Sequence, residues 1–194
     1  MYGKYRSTGT GVALEVDDQK NMYVRSCGGK LSEAALDGRL FSVCNQAAVA
    51  VTAALNTTWT GLGISNPLGS GKNAILHQFG WSQTVVSPAE GAFGLMTSDT
   101  TGFAAALTIK SCMPGSGTSV LYADDGATIA TPILERVVGG SMEGAISTTP
   151  SLGPNIYNFD GSLILPPGRS IMTYHTVGMA AAFVFFFLWE EVEA

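Results

Sequence analysis

The C-terminal end of the chain carries an unbroken apolar segment, from Ala180 to Trp189 (AAAFVFFFLW), which is closed by Glu190, Glu191 and Glu193. A helix of this length would cross only half of a bilayer core, which needs about 20 residues. As a strand the segment would span roughly 33 Å, at about 3.3 Å per residue. The pattern therefore predicts a long buried β-strand and no membrane partner.

Both faces of this predicted strand are apolar, because successive side chains of a strand point to opposite sides. One face carries the aromatic residues Phe183, Phe185, Phe187 and Trp189, and the other carries Ala182, Val184, Phe186 and Leu188. A strand that is apolar on both faces must be covered on both. One face can pack against a second sheet of the same domain, whereas the other needs a partner. We therefore predict a β-sandwich that oligomerises, and we assign the aromatic face to the subunit interface.

From Leu40 onward, short β-prone segments alternate with Gly, Pro, Asn and Asp at a spacing of roughly 10 residues, which is typical of a sandwich or barrel. The predicted strands are 40–45, 48–55, 59–65, 74–82, 91–97, 104–109, 119–123, 127–138, 156–159, 162–165, 170–177 and 180–192. Residues 32–40 predict one short helical turn, and no longer helix is indicated. This pattern favours an all-β fold, a jelly-roll-like β-sandwich over residues 39–194.

Several turn signals separate these strands. Asp124-Asp125-Gly126 and Phe159-Asp160-Gly161 place Asp-Gly between β-rich flanks, which predicts tight hairpin turns with positive φ. Pro166-Pro167-Gly168 predicts a chain reversal. The segment from Asn66 to Lys72 (NPLGSGK) predicts a hairpin loop between two strands.

The beginning of the chain differs in composition from the rest. The first forty residues hold six of the ten Lys and Arg residues and few long apolar runs. A segment of this kind cannot offset the entropy of ordering its backbone unless it lies on a partner surface. We predict that residues 1–38 form an extended N-terminal arm that docks on an acidic surface. An ordinary solvated start of the chain is the alternative.

The overall composition excludes one class of partner. The net charge is −5 and the isoelectric point is near 4.9, with no cluster of Lys and Arg, so nucleic-acid binding is not expected. Hydrophobic residues make up 46% of the chain and charged residues only 13%, against a usual 25% or so. A surface so poor in charge fits a protein that is covered by neighbours, although a mildly acidic soluble protein is equally consistent.

The motifs that could carry chemistry are incomplete. Gly69-Ser-Gly71-Lys72 resembles the end of a phosphate-binding loop, but Asn66 and Asn73 stand where that loop needs Gly and Ser or Thr. His77 and His175 are the only histidines, and neither has a carboxylate two residues away, as a jelly-roll metal site would want. We therefore predict no cofactor, no metal and no enzymatic activity, although proximity of the two histidines in space stays open.

Other candidate groups are explained by ordinary structural roles. Asp124/Asp125 and Glu190/Glu191 are adjacent carboxylates, but neighbours in a strand point apart and neighbours in a turn face water. Trp59, Trp81 and Trp189 could form a sugar-stacking platform, although core or interface packing is the commoner role. The three cysteines, Cys27, Cys44 and Cys112, lack the spacing of a zinc site or a disulfide framework.

Two segments resemble a known group of proteins. The pattern from Ser162 to Arg169 (SLILPPGR) is followed by a strand and then by an apolar strand ending in Trp189-Glu190-Glu191. The segment from Trp59 to Lys72 (WTGLGISNPLGSGK) precedes another strand. Together they resemble small jelly-roll structural proteins of tailed bacteriophages, over about two-thirds of the chain. The resemblance implies a virion protein that is assembled in the host cytoplasm. Proteins of this group have no catalytic residues that could be assigned to positions in this chain.

The leading hypothesis is thus a non-enzymatic, trimeric capsid decoration (cement) protein that binds the phage major capsid protein or other virion proteins. The alternative is the jelly-roll head of a tail fibre or spike that binds host carbohydrate through exposed Trp or Tyr residues. A cupin-type metalloenzyme is the third reading. A major capsid protein of the usual tailed-phage type is disfavoured, since no long spine helix is visible.

Overall fold

The computed structural model describes residues 3–7, 10–16, 22–23, 31–85, 90–141 and 155–194, with side chains from residue 31 on except at 181 and 182. The chain divides into two compact units, Met1–Glu33 and Ala34–Ala194. The first unit contains a three-stranded antiparallel sheet made of β1 (Gly3–Ser7), β2 (Thr10–Val16) and β3 (Met22–Tyr23). That residues 1–38 act as a docking arm stays a prediction.

The second unit is an all-β sandwich, as the sequence predicted. A single short helix, α1 (Ser32–Leu36), is found among the described residues, where one helical turn was expected. The strands are β4 (Leu40–Cys44), β5 (Val49–Val51), β6 (Thr58–Asn66), β7 (Lys72–Gln83), β8 (Gly91–Ser98), β9 (Lys110–Ser111), β10 (Tyr122–Thr128), β11 (Ile133–Ser141), β12 (Asn155–Leu165), β13 (Arg169–His175) and β14 (Met179–Glu193).

Two antiparallel sheets pack against each other. The β13 sheet has the strand order β10-β6-β13-β8-β11, and the β14 sheet has the order β12-β7-β14-β4-β9, with β5 also paired to β14. The pairing is nested along the chain: β4 pairs with β14, β6 with β13, β7 with β12 and β8 with β11. The pairs of β14 with β7 and of β13 with β8 join these ribbons into the two sheets.

Aromatic side chains fill the space between the sheets. Phe93 on β8 meets Phe183 on β14 edge-on, with ring centroids 4.6 Å apart, and so links the two sheets. Phe79 on β7 lies 5.0 Å from Phe187 on β14 by the same measure. Aromatic pairs at these distances contribute about 0.5–1.5 kcal/mol beyond the burial of their area. The core of the sandwich is therefore built largely on β14.

The aromatic face of β14 requires a correction to the predicted interface. Phe183, Phe185, Phe187 and Trp189 are each 0% exposed within a single chain. The strand does have two apolar faces, but the larger, aromatic one is the core of the folded chain and cannot contact another subunit while the sandwich is intact. Any subunit contact made by β14 has to use the opposite face.

Both predicted Asp-Gly hairpins are β-bulges. β10 continues through Asp124-Asp125-Gly126 while its register against β6 shifts, so the chain does not reverse there. β12 likewise continues through residues 159–162, and Asp160 and Gly161 have φ angles of 49° and 79°. The expected positive φ is present at 160 and 161, but it bends an edge strand instead of closing a hairpin.

Other observed strands and loops also differ from the predicted ones. The predicted strand 104–109 is not a strand; it belongs to an irregular segment, residues 99–109, between β8 and β9. The loops at 67–71 and 166–168 do turn the chain, but each connects the two sheets instead of joining hydrogen-bonded neighbours. Asn66 fixes both crossings, since its side-chain amide donates to the carbonyls of Lys72, at 2.7 Å, and Leu165, at 3.0 Å.

Candidate interaction face

The outward side of the β14 sheet carries an apolar surface, the outer apolar face, composed of Ile75, Ile156, Ile164, Val184, Phe186 and Leu188. The strand registers place these residues together, because Ile164 lies opposite Ile75, and both Ile156 and Phe186 lie opposite Gly80. Ile156 and Ile164 are 50% and 52% exposed, and the other four are half-buried. Gln78 and Asn158, hydrogen-bonded to each other at 2.9 Å, lie between these two groups on β7 and β12, so the apolar rows surround one polar pair.

Phe186 lies across the backbone of β7 at the centre of this face. A Cβ atom added to Gly80 would come within 2.0 Å of the Phe186 ring, so glycine is what lets the ring lie flat on the sheet. The ring buries Gly80 and leaves its own other side outward. The close approach to Gly80 therefore restricts the position of the Phe186 ring.

The outer side of the opposite sheet is covered by the chain itself. Phe103, in the irregular segment, stacks on Trp59 of β6 with ring centroids 6.1 Å apart and planes within 11°. Together with Met96, Ile129 and Met172 these residues form a second small hydrophobic cluster. Gly63 makes the stacking possible, because an added Cβ would lie 2.9 Å from both rings. The β13 sheet thus provides its own cover, and no comparable cluster covers the β14 sheet among the described residues.

A group of charged side chains lies at one end of the outer apolar face. Glu190 on β14 pairs with Arg39, and its other carboxylate oxygen lies 3.5 Å from Nε2 of His77. Arg39 also contacts Asp37, at 3.2 Å. Arg39 thus lies between two carboxylates, so this end of the face is polar and carries both acidic and basic groups.

The edge strands β11 and β12, at one side of the sandwich, expose further aliphatic side chains. On the edge strand β11, Ile133 is 62% exposed and Val137 is 56% exposed. β11 has two register shifts against β8, and β12 has one against β7. Bulges in edge strands discourage open-ended strand pairing between molecules. The exposed side chains of these edges are therefore available for packing, whereas their backbones are poor templates for strand addition.

A buried Ser–His pair lies at one end of the core. Oγ of Ser141 is 3.0 Å from Nε2 of His175, whose Nδ1 is 2.6 Å from the carbonyl oxygen of Val177. Burial lowers the pKa of His175, and the hydrogen bond to Val177 offsets part of this. His175 is 0% exposed and its ring centroid is 4.4 Å from that of Phe93. Both side chains are buried, and their contact ties the end of β11 to the end of β13.

The adjacent carboxylates that the sequence singled out are separated by the fold. Glu190 points outward and Glu191 points inward, where it is 1% exposed, as expected for neighbours in a strand. Glu191 accepts hydrogen bonds from the Ser119 hydroxyl, at 2.5 Å, and from the Trp189 indole, at 3.3 Å. Asp124 is also buried, at 3% exposure, although turn solvation was expected there.

These two buried carboxylates hold the segment of residues 99–121 to the sandwich. Asp124, on the β13 sheet, accepts the backbone N–H of Ala104 at 2.9 Å. Glu191, on the β14 sheet, accepts the N–H of Val120 at 3.3 Å. The segment is therefore fixed near both its ends, one to each sheet. Neither role was visible in sequence, because both depend on contacts between distant parts of the chain.

The remaining candidates do not converge on one site. His77 lies on the outer side of β7 and His175 lies in the core at the end of β13, so the two histidines are not brought together. Trp59, Trp81 and Trp189 are at most 7% exposed, which removes the proposed tryptophan platform from the surface. The loop containing Gly69 to Lys72 leads into a strand and not into a helix, unlike a phosphate-binding loop.

Thiol and metal chemistry find little support in the part of the chain that the structure describes. The thiols of Cys44 and Cys112 are unpaired, and partial burial raises both pKa values, which disfavours the reactive thiolate. Cys27 lies outside the described residues. Within those residues, no group of three or more His, Cys, Asp or Glu side chains is arranged to hold a metal ion.

Comparison with known proteins adds no assignment. No protein-family model, curated protein or solved structure matches the chain. None of the helices in the described residues is long and apolar enough to cross a membrane.

The sequence analysis assigned the subunit interface to the row of β14 that the structure buries in the core. Both rows were recognised, but the interface was given to the more aromatic one. The side-chain volumes held a usable signal, because a single-chain core takes the larger row. The row with Val184, Phe186 and Leu188 is then left for the outside.

Proposed function

We propose that the protein is a non-enzymatic structural protein of a tailed-phage particle, a trimeric decoration protein that stabilises the head. The observation that carries the proposal is the contrast between the two outer sheet surfaces. One is covered by the chain's own Phe103 cluster, and the other presents the outer apolar face around Phe186. Exposed apolar patches of this kind mark interaction sites in soluble proteins.

We infer that the sandwich is a jelly roll, which supports the resemblance to jelly-roll virion proteins. A jelly roll is a long antiparallel ribbon rolled into two sheets, so its first strand pairs with its last and its second with its penultimate. The pairs β4·β14, β6·β13, β7·β12 and β8·β11 follow this rule. Viral capsid domains are among the proteins that use this architecture.

The partner on the outer apolar face is proposed to be another copy of the same chain. Its residues are uncharged and half-buried or exposed, and its charged end carries both acidic and basic groups, so the surface is compatible with itself. Completing the burial of six aliphatic or aromatic side chains gains about 1 kcal/mol each, roughly half of full burial. Contributions of about 6 kcal/mol from each copy can offset an association cost that starts near 4 kcal/mol.

The oligomeric state tests this assignment directly. Light scattering coupled to gel filtration should give a trimer mass for the unaltered chain. Phe186→Asp should give a folded monomer, because a charge on the contact surface cannot be desolvated without a partner. Ile133→Asp is the matched control, since it adds the same charge to an exposed aliphatic position on β11, in the other sheet, and should remain a trimer.

A monomeric unaltered chain would contradict the trimer, and a trimeric Phe186→Asp variant would remove the outer apolar face from the interface. Binding to heads is tested separately, by co-sedimentation with heads of a phage that encodes this chain and lacks its own copy of the protein. A trimer that fails to co-sediment would rule out the decoration role while leaving the assembly surface intact.

A further inference from the structure

An open cavity of about 320 Å³ lies beneath the segment of residues 105–121, on the side of the sandwich where β4 and β10 are the neighbouring strands. The apolar part of its wall is formed by Phe41, Leu107, Ile109 and Leu121. Phe41 and Leu121 belong to the main core, at 3% exposure each, whereas Leu107 and Ile109 are partly exposed. The base of the cavity is therefore a fixed apolar surface.

The rest of the wall is rich in hydroxyl groups and contains no charged residue. Ser111, Thr118, Ser119 and Tyr122, which carry hydroxyl groups, are among the lining residues. Tyr122 is 43% exposed and Thr118 is exposed, so both can meet a molecule that arrives from solvent. An uncharged wall, in a chain of net charge −5, does not favour an anionic ligand.

The wall is held in place before any ligand binds. The hydroxyl of Ser119 donates to the buried Glu191 at 2.5 Å and accepts the N–H of Leu121 at 3.1 Å. At the other end of the segment, the N–H of Ala104 is fixed by the buried Asp124 at 2.9 Å. Sites that are rigid in this way lose less entropy on binding.

We propose that this cavity binds one residue of a neutral saccharide. The volume is at the small end of ligand sites, which is the scale of one sugar ring. A pyranose has an apolar C–H face and a rim of hydroxyls, which match the apolar base and the hydroxyl-bearing wall. The exposed residues Thr118 and Tyr122 would supply the hydroxyls that pair with the sugar, because the hydroxyls of Ser111 and Ser119 already have partners within the chain. This inference goes beyond the proposed structural role and does not depend on it.

The test uses the full chain and defined probes. Saturation-transfer NMR and calorimetry should detect at least one of the methyl glycosides of glucose, galactose, mannose and N-acetylglucosamine. Methyl glucuronide and sialic acid, as charged probes, should bind at least tenfold more weakly. Tyr122→Ala should weaken binding of the neutral probe at least tenfold, and Thr118→Val should weaken it several-fold without changing the shape of the side chain.

Ile133→Ala is the matched control, because it removes an exposed apolar side chain from β11 and should leave binding unchanged. Unfolding curves of both site variants that overlay the curve of the unaltered chain show that any loss is local. Absence of saturation transfer to every neutral glycoside would overturn the proposal. It would equally be overturned if cyclohexanol bound more tightly than the sugars, since the cavity would then suit an apolar side chain of a protein partner.

Discussion

His175 shows how a single polar residue is built into an aromatic core. Its ring lies against Phe93, and both ring nitrogens are within hydrogen-bonding distance of oxygen atoms, those of Ser141 and Val177. Gly91 provides the space, since an added Cβ would come within 2.3 Å of the imidazole. In the tautomer protonated on Nδ1, the neutral imidazole donates to the carbonyl of Val177 and accepts from the hydroxyl of Ser141. No carboxylate is recorded beside the ring among the described residues, so a positive charge there would have no counter-ion.

Stability should therefore fall in mild acid because of His175. Burial holds its folded-state pKa below the ordinary value of about 6.5. The unfolded chain then takes up a proton that the folded chain does not, which favours unfolding as the pH falls. The contribution is complete above about pH 6.5 and is lost progressively below it, by at most about 1.4 kcal/mol per pH unit, down to the folded-state pKa.

Urea unfolding at steps between pH 8 and pH 5 measures this effect. His175→Leu should flatten the pH dependence relative to the unaltered chain, even if its stability at pH 8 is lower. Parallel curves for the two proteins across this range would show that other groups cause the acid sensitivity.

At the scale of elements, alternate residues of β14 face opposite sides of the sheet and have different roles. Phe187 lies at 0% exposure against Phe79, whereas its neighbour Phe186 lies on the outside over Gly80. The strand is central to its sheet, paired with β7 on one side and with β4 and β5 on the other. One element thus supplies the core on one face and the proposed contact surface on the other.

Truncating the two phenylalanines should have different consequences. Phe187→Ala should lower the free energy of unfolding by about 3–5 kcal/mol, because it leaves a cavity in the core. Phe186→Ala should cost the isolated chain less than half of that and should mainly shift assembly toward the monomer. Denaturation at low protein concentration and sedimentation at several concentrations separate the two effects. Equal losses of stability from both variants would contradict the division of faces.

At the scale of the whole molecule, the chain consists of a small N-terminal unit and a sandwich that contains all the strands from β4 to β14. The nested pairing of the sandwich uses no residue before Leu40. Of the six basic residues near the start of the chain, Arg39 contacts β14 through Glu190 and Glu191, whereas the other five precede residue 31. This makes removal of the N-terminal segment an informative experiment.

Deleting residues 2–30 should leave a soluble trimer whose thermal unfolding resembles that of the full chain. Its binding to phage heads should fall at least tenfold, because the proposed docking segment is gone. Gel filtration with light scattering and head co-sedimentation provide the two readouts. Unfolding of the truncated chain would place the segment in the core, and undiminished binding to heads would show that it is not an attachment arm.

The sequence by itself determined the all-β class, the single helical turn near residue 32 and strands at most of the predicted positions. These features follow from local pattern: β-prone segments such as those at Thr58–Asn66 and Lys72–Gln83 are bounded by Gly, Pro and Asn. The need for positive φ at Asp160 and Gly161 was also local, and the backbone there does adopt it. The two apolar rows of β14 were likewise readable from alternation alone.

Only the tertiary structure decided what each of these features does. An Asp-Gly pair needs positive φ in a hairpin and in a bulge alike, and the partner strand β7 determines that 160–161 is a bulge. Alternation along β14 defines two rows, but the position of the opposite sheet determines that Phe187 lies inside and Phe186 outside. The buried roles of Asp124 and Glu191 arise from segments far away in sequence. Periodicity records which residues share a face, whereas burial depends on what the rest of the chain packs against that face.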